Sequence, residues 1–157
     1  MSVPLLDCEK QFTPLVATTT LNLKATVFEV GGDAPTNIIH TDQAWYVEVE
    51  WEITGPLIRH FCGTWHVSVN LESIGPGSEY QFPEPPAQVP MNPCGDGKYK
   101  YTINVPANAV DARDPDGTLY IVGVTLGSTD PCGNAGHLFG YCTGEELHFV
   151  PPVHGSP

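Results

Sequence analysis

Five cysteines (Cys8, Cys62, Cys94, Cys132 and Cys142) and six histidines are the residues of this chain with the widest chemical repertoire. A thiol beside an imidazole can act as a nucleophile, two thiols can form a disulfide, and thiols with imidazoles can close around zinc. Cys62 stands close to His60 and His66 in sequence, and His137 falls between Cys132 and Cys142. This is the best nucleophile-like set in the chain, yet a cysteine held in a bridge attacks nothing. The spacings are neither C-x-x-C nor H-x-x-x-H, so they do not dictate a tetrahedral zinc site.

Carboxylates offer less. Glu48, Glu50 and Glu52 recur at every second position, which places them in a row on one face of a strand. Glycosidase carboxylates must face one another across a cleft, so a solvated strand face is the better reading. Asp111, Asp114 and Asp116 before Gly117 share only composition with a calcium loop, because Ala112 breaks the alternation of ligands. Turn formation accounts for them. There is no G-x-S-x-G, no glycine-rich phosphate loop and no H-E-x-x-H. No catalytic residue, metal ligand or cofactor is therefore assigned, and the chain is read as a non-enzyme.

The elements that carry these residues are strands. Leu21, Leu23, Ala25 and Val27 alternate with Asn22, Lys24 and Thr26. Over 45–54, Trp45, Val47, Val49, Trp51 and Ile53 alternate with polar residues, and a slip of one residue would bury the three glutamates. The same pattern puts Trp65, Val67, Val69 and Leu71 on the inner face of 64–73, and Tyr99, Tyr101, Ile103 and Val105 on that of 98–105. Tyr120, Val122, Val124 and Leu126 follow, then Leu147 and Phe149 in a last short strand. No stretch keeps a helical period over three turns. Sixteen glycines and sixteen prolines without a repeat suit short strands joined by punctuated loops. The expectation is one all-β domain spanning 1–157, with tails at 1–19 and 151–157 around a sandwich at 20–150.

The run Asp114-Pro115-Asp116-Gly117-Thr118-Leu119-Tyr120 resembles the tyrosine corner of immunoglobulin-like and fibronectin-III-like sandwiches, in which a tyrosine opening the sixth strand bonds back across the intersheet turn. The resemblance implies an immunoglobulin-like antiparallel two-sheet sandwich with strands A (20–30), B (44–54), C (63–74), E (98–105), F (118–126) and G (145–150). Trp65 then falls on strand C, where this fold keeps a core tryptophan. The segment 75–97 carries Pro83, Pro85, Pro86, Pro90 and Pro93. Proline cannot donate to a ladder, so a Pro-rich strap along a sheet edge is expected in place of strand D. A long F–G loop follows strand F.

In that order the B–C, D–E and F–G loops share one end, which gathers Cys62, Cys94, Cys132 and Cys142 at a single pole together with Cys8 before strand A. Three chemistries fit the cluster. Two disulfides among Cys62, Cys94, Cys132 and Cys142 rank first, because Cys132 and Cys142 bracket a glycine-rich excursion. Free thiols in a reducing compartment rank second, and zinc with His60, His66 or His137 third. Cys8 is the odd thiol, left unpaired or bonded to another chain. If the pole binds a ligand, its contacts are Arg59, His60, Phe61, His66, His137 and Tyr141.

Eighteen acidic against six basic residues give a net charge of −12, which repels phosphate backbones and anionic lipid. Nucleic-acid binding and membrane insertion are thereby disfavoured. No apolar run approaches the ~18 residues of a membrane span, and residues 1–8 lack the basic and apolar blocks of a signal peptide. Two readings of function result. One is a non-catalytic assembly subunit of a surface appendage, filament or virion, outside the cell or on its surface, joining copies through sheet edges and tails. The other is a ligand-binding module for a glycan, metal or protein at the cysteine-rich pole.

Overall fold

The computed structural model describes residues 7–12, 19–31, 36–56, 58–75, 78–112, 117–136 and 138–152. Among them are nine strands: β1 (Asp7–Phe12), β2 (Thr20–Glu29), β3 (Ile38–His40), β4 (Trp45–Thr54), β5 (Thr64–Ser73), β6 (Tyr80–Pro90), β7 (Lys98–Val105), β8 (Thr118–Thr129) and β9 (Leu138–Val150). The described residues contain no α-helix, and the one helical turn is a short 3-10 segment at Ile58–His60. None is therefore a helix long and apolar enough to cross a membrane.

Two sheets result. The smaller runs β2-β4-β7 and the larger β1-β9-β8-β5-β6, with β3 also paired to β9. Every pairing is antiparallel except β3 with β9. Alternation dictates which face is buried. On β4, Trp45, Val47, Val49, Trp51 and Ile53 are buried, and Glu48, Glu50 and Glu52 stand on the other face. Lys100, opposite Glu50 in register, lies 3.8 Å from both Glu48 and Glu50, so cations interleave the acidic row.

The facing sheets join through aromatic contacts. Trp51 of the smaller sheet meets Trp65 of the larger edge to face at 5.9 Å, and Tyr99 stacks on Trp51 at 5.6 Å. Toward the opposite end, Trp45 meets Phe149 at 5.5 Å, and Phe149 meets Tyr120 at 5.4 Å. Offset and edge-on pairs of this kind add to the energy of area burial. Val49, Val67, Val69, Ile103, Val122 and Val124 fill the layer between, and Tyr101 packs against it half-buried.

Four features differ from the sequence reading. The proline-rich segment does lie along a sheet edge, but as the hydrogen-bonded strand β6 beside β5. Its register jumps from Val67↔Ala87 to Val69↔Phe82, so residues 83–86 (Pro-Glu-Pro-Pro) bulge opposite Ser68. Excluding residues that mostly lack an N–H from the ladder lets the flanks on either side pair. The expected long F–G loop is short, because β8 continues to Thr129 and β9 already begins at Leu138. The glycines of 138–144 suggested a loop, yet Leu138, Gly140 and Cys142 alternate inward while Phe139 and Tyr141 face out. The assigned N-terminal tail contains β1, paired to β9 over Leu138–Thr143. Finally, β3 aligns parallel with 148–150 of β9 and buries Ile39. Three residues give too short an alternation to be legible.

Candidate functional site

Three connections meet at one end of the sandwich. The β4–β5 connection (55–63), the β6–β7 connection (91–97) and the β8–β9 turn (130–136) converge because Thr64 pairs with both Pro90 and Thr129, and Glu52 pairs with Lys98. Backbone bonds seal them: Met91 N–H donates to Gly63 at 2.9 Å, and Ile53 N–H to Gly97 at 2.9 Å. Both glycines are required. Each has a positive φ, and a Cβ would overlap the Thr129 carbonyl at Gly63 and the Ile53 carbonyl at Gly97.

Two of the three connections are the same turn written twice. Asn92-Pro93-Cys94-Gly95 and Asp130-Pro131-Cys132-Gly133 each place an Asx residue, a proline, a cysteine and a glycine in order. In the first, Cys94 N–H donates to Asn92 Oδ1 at 3.1 Å and Gly95 N–H to the Asn92 carbonyl at 3.1 Å. In the second, Cys132 N–H donates to Asp130 Oδ1 at 2.9 Å and Gly133 N–H to the Asp130 carbonyl at 3.0 Å. The side-chain oxygen closes an Asx turn while proline presets φ at the next position. The first turn is also tied to the core, since Asn92 N–H donates to Tyr99 Oη at 2.9 Å. The sequence reading missed this repeat, although comparing the chain with itself reveals NPCGDG and DPCGNA.

Asp130 collects further donors. The Asn134 N–H reaches Oδ1 at 2.9 Å and the Asn134 amide reaches Oδ2 at 3.4 Å. The Asn134 backbone bond is the main cause that holds the Asp130 carboxyl below its ordinary value; desolvation opposes it, and the Asn134 side-chain amide and then the Cys132 and Gly133 N–H groups add to the lowering.

At this pole the structure corrects the cysteine expectations. Cys62, Cys94 and Cys132 are exposed free thiols, so the proposed pair of bridges among the loops is not formed. Cys142 lies inside β9, not in a loop, because β9 starts early. It is fully buried and disulfide-bonded, and its partner in the β1–β9 register is Cys8. Cys8, expected to be the odd thiol, therefore stands opposite a bridged cysteine, held there by a strand the sequence reading took for a tail.

The candidate binding residues divide. Arg59 and His60 are exposed on the 3-10 turn, and Phe61 is half-buried against the core beside Cys62. His60, Phe61, Cys62, Met91 and Asp130 line a cavity of about 390 Å³. His66 lies on the outer face of β5 next to the pole, where Nε2 bonds Thr129 Oγ1 at 2.9 Å. Tyr141 is on the outer face of β9, its ring over Gly123, and not on the pole. Trp65 is in the core. His137, Asp114 and Asp116 lie outside the described residues. Among the described residues no three His, Cys, Asp or Glu side chains come together to hold a metal ion.

A second surface was not expected. On the outer face of the larger sheet, at the end away from the cysteines, Ile38, Ile74, Leu119 and Ile121 are 37–49% exposed. Ile74 N–H bonds the Leu119 carbonyl at 3.0 Å, and His148 stands between Leu119 and Ile38 in the sheet. Ile121 follows Leu119 on the same face of β8, with Glu72 of β5 and Glu146 of β9 as its cross-strand partners. The parity that buries Tyr120 and Ile39 forces these residues outward.

Compared with known proteins, the chain matches no family model and no curated protein.

Proposed function

We propose that this chain is a non-catalytic assembly module on an immunoglobulin-like frame, which joins copies of itself through the outer face of its larger sheet. The frame is supported by the order of strands: β2, β4 and β7 stand as A, B and E, and β9, β8, β5 and β6 as G, F, C and C′. Tyr120 occupies the tyrosine-corner position and Trp65 the strand-C core position.

The observation that carries the function is the line of Ile38, Ile74, Leu119 and Ile121 on a solvent-facing sheet. Apolar side chains grouped on a surface mark contact sites. Of the edge strands β1, β6, β2 and β7, β6 is the one least suited to joining copies, because proline interrupts its ladder. The alternative reading, ligand binding at the cysteine pole, draws on the cavity beside Phe61 and Met91.

Sedimentation of the full chain in reductant tests the proposal. Concentration-dependent association is expected, and Ile121→Glu should abolish it while leaving the melting temperature near wild type. A chain that stays monomeric at high concentration overturns it.

A further inference from the structure

We infer that the cysteine pole is a thiol-exchange site at which two copies of this chain become joined by a disulfide between the twin turns. The inference goes beyond the assembly reading above, because the cysteine pole lies at the other end of the molecule from the apolar face and would add a second junction between copies.

Four observations support it. Cys62, Cys94 and Cys132 are free and exposed at one end of the molecule. The bridge at Cys142 takes two of the five cysteines, so three remain, and an odd number cannot all pair within one chain. Among the described residues no group of three His, Cys, Asp or Glu side chains that could hold a metal includes these thiols. Finally, Cys94 and Cys132 sit on turns already fixed by proline and by two hydrogen bonds each. Little freedom remains there to be lost on joining.

Charge selects this pole over the rest of the surface. Loops 55–63, 91–97 and 130–136 carry only Arg59, Asp96 and Asp130, a net charge of one negative in a chain whose total is −12. Two copies approaching pole to pole meet less repulsion than by any strongly acidic surface.

The chemistry needs an external oxidant, a low-molecular-weight disulfide. A thiolate of one turn attacks it, forming a mixed disulfide and releasing one small thiol. The thiolate of the second copy then attacks the protein sulfur and releases the other small thiol. Two protein thiols are oxidised to one disulfide, and the small disulfide is reduced to two thiols.

The full chain incubated with oxidised and reduced glutathione, then resolved under denaturing non-reducing conditions, tests the inference. Expected is a species of twice the chain mass that reductant dissolves. Cys94→Ser/Cys132→Ser should lose it and Cys62→Ser should keep it, both with unchanged melting temperature. Glutathione adducts on a monomer, a bond formed within one chain, or a double variant that dimerises like wild type overturns the inference. Because this bond is read in denaturant and face-mediated association in reductant, either proposal can fail without the other.

Discussion

The Tyr120 hydroxyl donates to the carbonyl of Asp111 at 3.0 Å, across the connection that carries the chain from the smaller sheet to the larger. Asp111 is held a second time, because its N–H donates to Tyr80 Oη at 3.3 Å. The two tyrosine rings meet edge to face at 6.0 Å. One backbone unit is thus clamped by two side chains, one opening β8 and the other opening β6.

Tyr120→Phe should cost about 1 kcal/mol in urea denaturation, the worth of one net hydrogen bond. Tyr80→Phe should cost less, its bond being longer. Since both hydroxyls hold Asp111, the double variant should depart from additivity. Strict additivity would show that the clamp does not act as a unit.

Trp51→Ala and Trp65→Ala should each cost ~3 to ~5 kcal/mol by opening a large cavity where the sheets meet. Both indole Nε1 atoms are buried without a hydrogen-bond partner. Trp65→Phe therefore loses area but no hydrogen bond, and should be milder than the alanine variant in the same denaturation assay.

Asp130 should make stability pH-dependent in a known direction. Its folded carboxyl titrates below the ordinary 3.8, so its contribution is present above that value and is lost as pH falls through the lower folded one. Asp130→Asn keeps the Oδ1 acceptor, as Asn92 does in the twin turn, but loses the charge. Melting temperatures should differ most near neutrality and converge in acid. A constant gap at every pH would refute the assignment.

Thiol counting separates the cysteines. Alkylation of the unreduced chain should label Cys62, Cys94 and Cys132, in native buffer and in denaturant alike, and prior reduction should add Cys8 and Cys142. Cys142→Ala should cost roughly 2–5 kcal/mol through loss of the bridge.

The sequence alone determined the strands with long alternation. Trp45 to Ile53, Trp65 to Leu71 and Tyr120 to Leu126 each carry enough period-2 signal for only one register to bury them, so their inner faces and the all-β class followed. Tyr120 was legible because turn and tyrosine are adjacent in the chain. The convergence of Cys62, Cys94 and Cys132 was legible once strand order was inferred by resemblance. What tertiary structure decided was everything that depends on a partner strand. Gly140 looks like loop until β8 and β1 flank it and supply its ladder, and Gly144 falls where the β8–β9 register shifts. Cys142 becomes a bridged core residue only because β1, short and unpatterned, sets Cys8 opposite it. Pro83 to Pro86 leave the ladder while their neighbours join it, a choice made by β5 rather than by local preference. The apolar line from Ile38 to Ile121 joins residues far apart in sequence, so it exists as a surface only after the sheet is assembled.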